Sequence, residues 1–297
     1  MHCGAGITQI ANGVGFRLSL ADGKKWILTG HPDIIPWLDQ LASIMRLEKG
    51  CFDGCPRIHF CPMGDAPGPS PESDWTIWDY KSLRLWFHDN KLDVFCEVDN
   101  REGHDSEIMN MWYALHPIYW GGIRARGLPF HAALIEREGK GIILAGPGGM
   151  GKSTCCRRIP KPWKPLCDDE VLVLRDERGR YRAHPFPTWS DYLWHRAKNT
   201  WNIEHGIPLQ AVFFLSHAES DMSEPLKEAK AAAYVNESAG QVCRKYWQLK
   251  DGELRRAFTS SIFFNACEVV KRVPAFKLGI SLKGRFWEEM ESVLEGL

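Results

Sequence analysis

No stretch of this chain is long and apolar enough to cross a bilayer, since none reaches the roughly 18 residues a span requires. The opening residues, Met1-His2-Cys3-Gly4-Ala5-Gly6, lack the basic segment and apolar core of a secretory signal. The expectation is a cytoplasmic protein. An excess of one charge is also missing: Lys and Arg number 37, and so do Asp and Glu. No general field draws the chain to nucleic acid or to an anionic membrane. Repeats, heptads and low-complexity tracts are absent, which excludes solenoids and coiled coils. Paired C-x-x-C spacing is absent too. In a cytoplasmic protein the ten cysteines are expected to be reduced thiols. Cys51, Cys55, His59 and Cys61 are zinc-ligand types, but their spacing does not fit a zinc knuckle. His59 alternates with Ile58 and Phe60 as in an ordinary strand, so no metal is expected there.

What is present describes a globular protein: 44% hydrophobic residues and 25% charged residues over 297 positions, enough for two domains. Residues 1–118 read as a smaller α+β domain. Phe16–Leu20 and Trp26–Leu28 alternate as strands around the turn Ala21-Asp22-Gly23-Lys24. Pro32–Leu47 has helical spacing. Met63–Ser73 is rich in Pro, Gly and Ser and reads as an exposed loop. Leu83–Phe87 and Leu92–Phe95 form a hairpin around Asp89-Asn90, and Glu107–Trp120 reads as one helix. The 13 tryptophans read as core packing rather than a binding groove.

Residues 119–297 carry the chemistry. The strand Phe130–Ile135 turns at Glu138-Gly139-Lys140 into the apolar run Gly141–Ala145. Next comes Gly146-Pro147-Gly148-Gly149-Met150-Gly151-Lys152-Ser153-Thr154, which matches G-x-x-x-x-G-K-[ST] at every fixed position. Glycines let successive backbone N–H groups converge on phosphate oxygens, and the following helix start favours an anion. Lys152 is placed to reach the β- and γ-phosphates, and the Ser153 hydroxyl to hold Mg²⁺. The expected ligands are ATP and Mg²⁺, with Gly146, Gly148, Gly149, Met150, Gly151, Lys152, Ser153 and Thr154 as the cradle.

Two other readings compete. One is a glycine-rich turn that matches by chance. The other is a dinucleotide site, because Gly146, Gly148 and Gly151 also spell G-x-G-x-x-G and acids follow roughly 20 residues on. In a dinucleotide site the acid ends a strand. Here Asp168-Asp169-Glu170 opens one, Val171–Leu174, and Lys152-Ser153 has no task in such a site.

Downstream, a helix from Lys152 to Arg158 is cut short by Pro160. Tyr181–His184 and Val212–Leu215 read as strands, and Thr259–Val270 and Gly284–Leu294 as helices. Cys155 and Cys156, one turn past the loop, read as packing residues. Adjacent residues on a strand face opposite ways, so Asp168 and Asp169 should differ in role. One would face the γ-phosphate as general base or Mg²⁺ partner, and the other would brace the loop. His131 lies on the strand beside the loop strand.

Phe130–Ile135 with His131, the Gly-containing hairpin, the GKS loop and Cys167-Asp168-Asp169 together resemble the C-terminal kinase domain of HPr kinase/phosphorylase. The fold so implied is α/β, an HPr-kinase/phosphoenolpyruvate-carboxykinase-like P-loop domain. By that resemblance His131 and Lys152 are active-site residues, Ser153 and Asp169 serve Mg²⁺, and one acid, Asp169 in preference to Asp168, is the base. Pro185–Ser190 and Val273–Leu278 resemble the shorter HPr-kinase-like proteins, among them SynChlorMet cassette proteins and lasso-peptide kinases. The chain has no clear counterpart of the classical family's downstream Mg²⁺-binding Glu, its glycine-rich segment or its long N-terminal domain. HPr as substrate and phosphorylase activity are therefore not implied. The expected activity is ATP-dependent phosphoryl transfer to a Ser or Thr hydroxyl of a peptide or small protein. The alternatives are a small-molecule kinase and an ATP-binding adaptor without transfer activity. Whether the chain forms a homo-oligomer is left open.

Overall fold

A computed structural model describes residues 15–64, 75–88, 92–101, 103–197, 199–244 and 252–297. The chain is an α/β protein with two mixed sheets, and it divides into two compact units. The first takes in the strand Gly15–Ser19, Lys24–Ile118 and Trp189–Asn202. The second takes in Ala21–Gly23, Tyr119–Thr188 and Ile203–Leu297.

The first unit holds β1 (Gly15–Ser19), β2 (Lys25–Gly30), α1 (Ile35–Met45), β3 (Glu48–Gly50), β4 (Arg57–Pro62), β5 (Trp75–Asp79), β6 (Leu83–His88), β7 (Val94–Val98) and α2 (His104–Tyr113). Its sheet runs β3-β1-β2-β4-β7-β6-β5. The pairs β2–β4 and β4–β7 are parallel, and the others are antiparallel. Apolar residues of α1 at helical spacing, including Trp37, Leu38, Leu41 and Met45, are buried. The Trp37 ring lies 5.3 Å from that of Phe60 on β4. The expected β6–β7 hairpin pairs Leu83 with Val98 through Phe87 with Val94. Its Asp89-Asn90 turn lies outside the described residues, as does most of the Met63–Ser73 loop.

The single helix expected over Glu107–Trp120 is two, α2 and α3 (His116–Arg124). Pro117 has no N–H to give the carbonyl four residues back, and its ring crowds that turn. The hydrogen-bond ladder closes at Ala114 N–H to Asn110 O and tightens at Leu115 N–H to Trp112 O.

The second unit continues with β8 (Leu128–Arg137), β9 (Lys140–Ala145), α4 (Lys152–Arg158), β10 (Lys164–Cys167), β11 (Glu170–Arg175) and β12 (Tyr181–Pro185). A short helix of the first unit, α5 (Trp189–Leu193), follows in sequence. The second unit resumes with β13 (Ile207–His217), β14 (Met222–Pro225), α6 (Glu228–Cys243), α7 (Gly252–Val270), β15 (Ala275–Ile280) and α8 (Phe286–Glu295). β13 extends well beyond the expected Val212–Leu215, and α7 starts before Thr259.

β8 is the organising strand. β9 lies antiparallel on its C-terminal half, from Ala132↔Ala145 to Arg137↔Lys140. β11 pairs with its N-terminal half, with Glu170 opposite His131. β9 then runs parallel to β13, and β13 parallel to β15. Because β11 pairs β12 and β12 pairs β13, the strands β8-β11-β12-β13-β9 close a ring. Beneath the glycine loop Ala133, Ile135, Ile142, Leu144, Cys155, Phe213, Leu278 and Phe286 form one buried cluster, which fixes β9 and α4. Among the described residues, no helix is long and apolar enough to cross a membrane.

Candidate active site

The β8–β9 turn places Glu138 at φ 53° and Gly139 at φ 76°. Two successive left-handed residues make the tight hairpin that sets Ala132 opposite Ala145. The loop therefore leaves β9 directly beside His131. Within it Gly149 has φ 79° and Gly151 φ 98°, backbone that L side chains rarely adopt. Gly151 caps α4, which starts at Lys152 and ends at Arg158 before Pro160. A Cβ added at Gly148 would meet nothing within 4 Å. Gly146 backs onto Met150, whose Cγ would lie 3.3 Å from a Cβ there. Pro147, Gly148 and Gly149 are exposed, so the loop's outer face is open to a ligand.

Lys152 is the centre of the arrangement. Its side chain is buried, and Nζ donates to Gly146 O at 2.8 Å, to Pro147 O at 3.3 Å and to His131 Nε2 at 2.9 Å. An ammonium has three donors, and these three contacts use them. Burial pushes the Lys152 pKa down, while the Asp169 and Asp168 carboxylates pull it up. Since Lys152 only donates, His131 Nε2 is the acceptor and the ring proton sits on Nδ1. That nitrogen lies 3.2 Å from Asp169 Oδ1. Asp169, His131 and Lys152 thus form one continuous relay at the mouth of the loop. The backbone carbonyl of His131 accepts from Ser238 Oγ of α6 at 3.3 Å.

The acid pair is not on a strand. Asp168 and Asp169 form a bend between β10 and β11, and β11 begins at Glu170. Both flanks of the bend run antiparallel to β8, with Cys167 opposite Leu134 and Glu170 opposite His131. Asp169 O still accepts from Ala132 N–H at 2.9 Å. The bend lets the carboxylates reach the loop while the backbone keeps its pairing. Strand alternation is therefore not what separates the two acids; their partners do. Asp169 holds His131, and Asp168 Oδ1 accepts from Thr188 Oγ1 at 2.6 Å.

Thr188 is buried, and sequence reasoning gave it no role. Only its place 20 residues after Asp168, in the stretch Pro185–Ser190, could have drawn attention to it. Glu170, also buried, accepts from the Tyr119 hydroxyl at 2.6 Å and anchors the end of the bend. Ser153 is half-buried and Thr154 exposed at the start of α4. Among the described residues, no hydrogen bond joins Ser153 to either acid.

Other singled-out residues lie away from this cluster. Burial pushes the Cys155 thiol up to about 11 and Cys156 up to about 12, so neither is a thiolate at neutral pH. In the first unit Cys51 is exposed and Cys55 half-buried. There His59 Nδ1 bonds Thr29 Oγ1 at 3.1 Å, and Cys61 is buried against Cys96 O.

Chemically, the relay offers a cation beside a glycine-lined, solvent-open loop and a carboxylate whose orientation a histidine fixes. No curated protein matches the chain. A family model for SynChlorMet cassette protein ScmC matches residues 94–295, a span that runs through the loop, the relay and both sides of the acid bend. The match covers more than half of the 297 residues, and the chain belongs to the ScmC family.

Proposed function

We propose that this chain is an ATP-dependent kinase with an HPr-kinase-like P-loop, transferring the γ-phosphoryl group to a Ser or Thr hydroxyl of a peptide or small protein. The observation that carries this reading is the Asp169–His131–Lys152 relay, which joins a carboxylate to the loop lysine through one imidazole. On a triphosphate, Lys152 exchanges its carbonyl contacts for β- and γ-phosphate oxygens. The exposed N–H groups of the glycine loop hold the remaining phosphate oxygens.

The acceptor hydroxyl gives its proton to Asp169, whose carboxylate His131 Nδ1–H keeps oriented. The hydroxyl oxygen bonds to the γ-phosphorus as the bond from that phosphorus to the β–γ bridging oxygen breaks. The electron pair leaves with ADP, and the Lys152 cation balances the charge that develops. The Ser153 hydroxyl suits Mg²⁺, being a hard oxygen ligand of the kind this ion takes in small number beside phosphate oxygens. When bound it neutralises charge on the β- and γ-phosphates. Asp168, tied to Thr188, braces the bend that aims Asp169.

The test is mass spectrometry of peptides encoded beside the gene after incubation with the protein and Mg-ATP. A phosphorylated Ser or Thr is expected. ATP binding without a phosphorylated product favours the adaptor role instead.

A further inference from the structure

We propose that the cleft between the end of β13 and α6 is the subsite for the side chain flanking the acceptor hydroxyl, and that it takes an apolar or aromatic residue of a peptide. This rests on the kinase reading above. The cleft, about 190 Å³, starts at Gly146 and Pro147, the two residues whose carbonyls hold Lys152. Since Lys152 marks the β/γ end of a bound triphosphate, the cleft opens at the transfer end of the loop and not at the nucleoside end. Ser238, which also lines it, is bonded to the His131 carbonyl, so its wall is continuous with the relay.

The lining fits that occupant. Phe214 and Tyr234 make one wall, their ring centroids 5.2 Å apart, and Leu215 continues it. The volume is below the roughly 300 Å³ at which pockets for whole small ligands begin, so it suits one side chain. At the rim stand Glu237 and Lys277, one charge of each sign, with Ser216 and Gln241. The two charges offset one another, and the rim's donors and acceptors match the N–H and C=O of a peptide backbone. The cleft lies at the C-terminal ends of the parallel strands β9 and β13.

The test is phosphoryl transfer from Mg-[γ-³²P]ATP to a fixed-serine peptide library in which each flanking position is varied in turn. The parent should favour a branched aliphatic or aromatic residue at one flanking position over Gly or Asp by roughly ten-fold or more in kcat/KM. Tyr234→Ala should raise KM for the best peptide about ten-fold while KM for ATP stays the same. Tyr234→Trp, which narrows the cleft, should shift preference to Ala or Val at that position. This keeps the test decisive if the alanine variant folds poorly. Transfer without any flanking preference overturns the subsite but leaves the kinase reading standing. A rise in KM for ATP with peptide preference retained makes the cleft a nucleobase site and also overturns it. A parent that binds Mg-ATP and phosphorylates no peptide overturns both.

Discussion

Replacing Gly148 by alanine should leave the fold intact and weaken triphosphate binding, whereas Gly151→Ala should do the reverse damage first. At Gly148 an added Cβ meets no atom within 4 Å, and the backbone lies outside the positive-φ region. Its cost to stability is therefore that of a neutral surface change, within about 0.5 kcal/mol. A bound phosphate would occupy that space. Losing one hydrogen bond to a charged group costs about 1.5–3 kcal/mol, or roughly 10- to 100-fold in Kd. At Gly151, φ is 98° and the Cβ would press on Ile280 Cδ1 at 3.3 Å. Left-handed backbone costs an L residue at least about 1–2 kcal/mol, which for a unit of this size lowers Tm by about 2–8 °C. Differential scanning fluorimetry gives the stability arm and titration calorimetry with Mg-ATP the binding arm. If Gly148→Ala binds Mg-ATP as tightly as the parent, no ligand approaches the loop there and the phosphate-cradle reasoning fails. If it destabilises as much as Gly151→Ala, the loop backbone is not as described.

Three further outcomes follow from particular residues. Mg-ATP at 100 times Kd should stabilise the parent by about 2.7 kcal/mol, and Lys152→Ala should abolish this ligand-induced shift; an equal shift in both proteins would refute the role of the lysine. Metal analysis of protein purified without added metal should find no stoichiometric zinc at Cys51, Cys55, His59 and Cys61; one tightly held zinc per chain would make that segment a structural knuckle. His184 is buried, with Nδ1 on Ile203 O and Nε2 accepting from Ala21 N–H, and burial pushes its pKa down to about 4. Between about pH 6.5 and 4 the unfolded chain binds a proton there that the folded chain does not, so stability falls as pH falls, by up to about 3 kcal/mol. Urea unfolding across that range should be steeper in the parent than in His184→Gln, and identical profiles would show that His184 does not titrate in this way.

The loop and its flanks were legible because their signals are local. A strand, a glycine run, GKST and a proline just beyond are enough to bound α4 at Lys152 and Arg158. The Glu138-Gly139 turn likewise announces the hairpin that sets His131 beside the loop. What stayed hidden depends on pairing or on weak patterns. The acid pair reads as a strand opening because Val171–Leu174 follows it, yet the bend exists only because both its flanks pair with β8. α6 has an inner face of Ala231, Ala232, Val235, Ser238 and Ala239, too small and mixed to register as an apolar stripe. β13 carries Pro208 in its first turn of pairing, which masks its N-terminal half. Tyr234 and Glu237 belong to no motif, Lys277 lies in the stretch Val273–Leu278 without a role legible there, and only the packing of α6 and β15 around β13 brings them to the loop.

The proposed function stands or falls on phosphoryl transfer through the Asp169–His131–Lys152 relay. The measurement that tests it most directly is the single-turnover rate of ³²P transfer from Mg-[γ-³²P]ATP to the best serine peptide, compared among the parent, Asp169→Asn and Asp168→Asn. Transfer by the parent is expected, with nucleotide binding nearly intact in both variants. Asp169→Asn should lose roughly 10²-fold or more in rate, and Asp168→Asn less, with lower stability. Full rates in both variants, or tight Mg-ATP binding by a parent that transfers nothing, would contradict the proposed function.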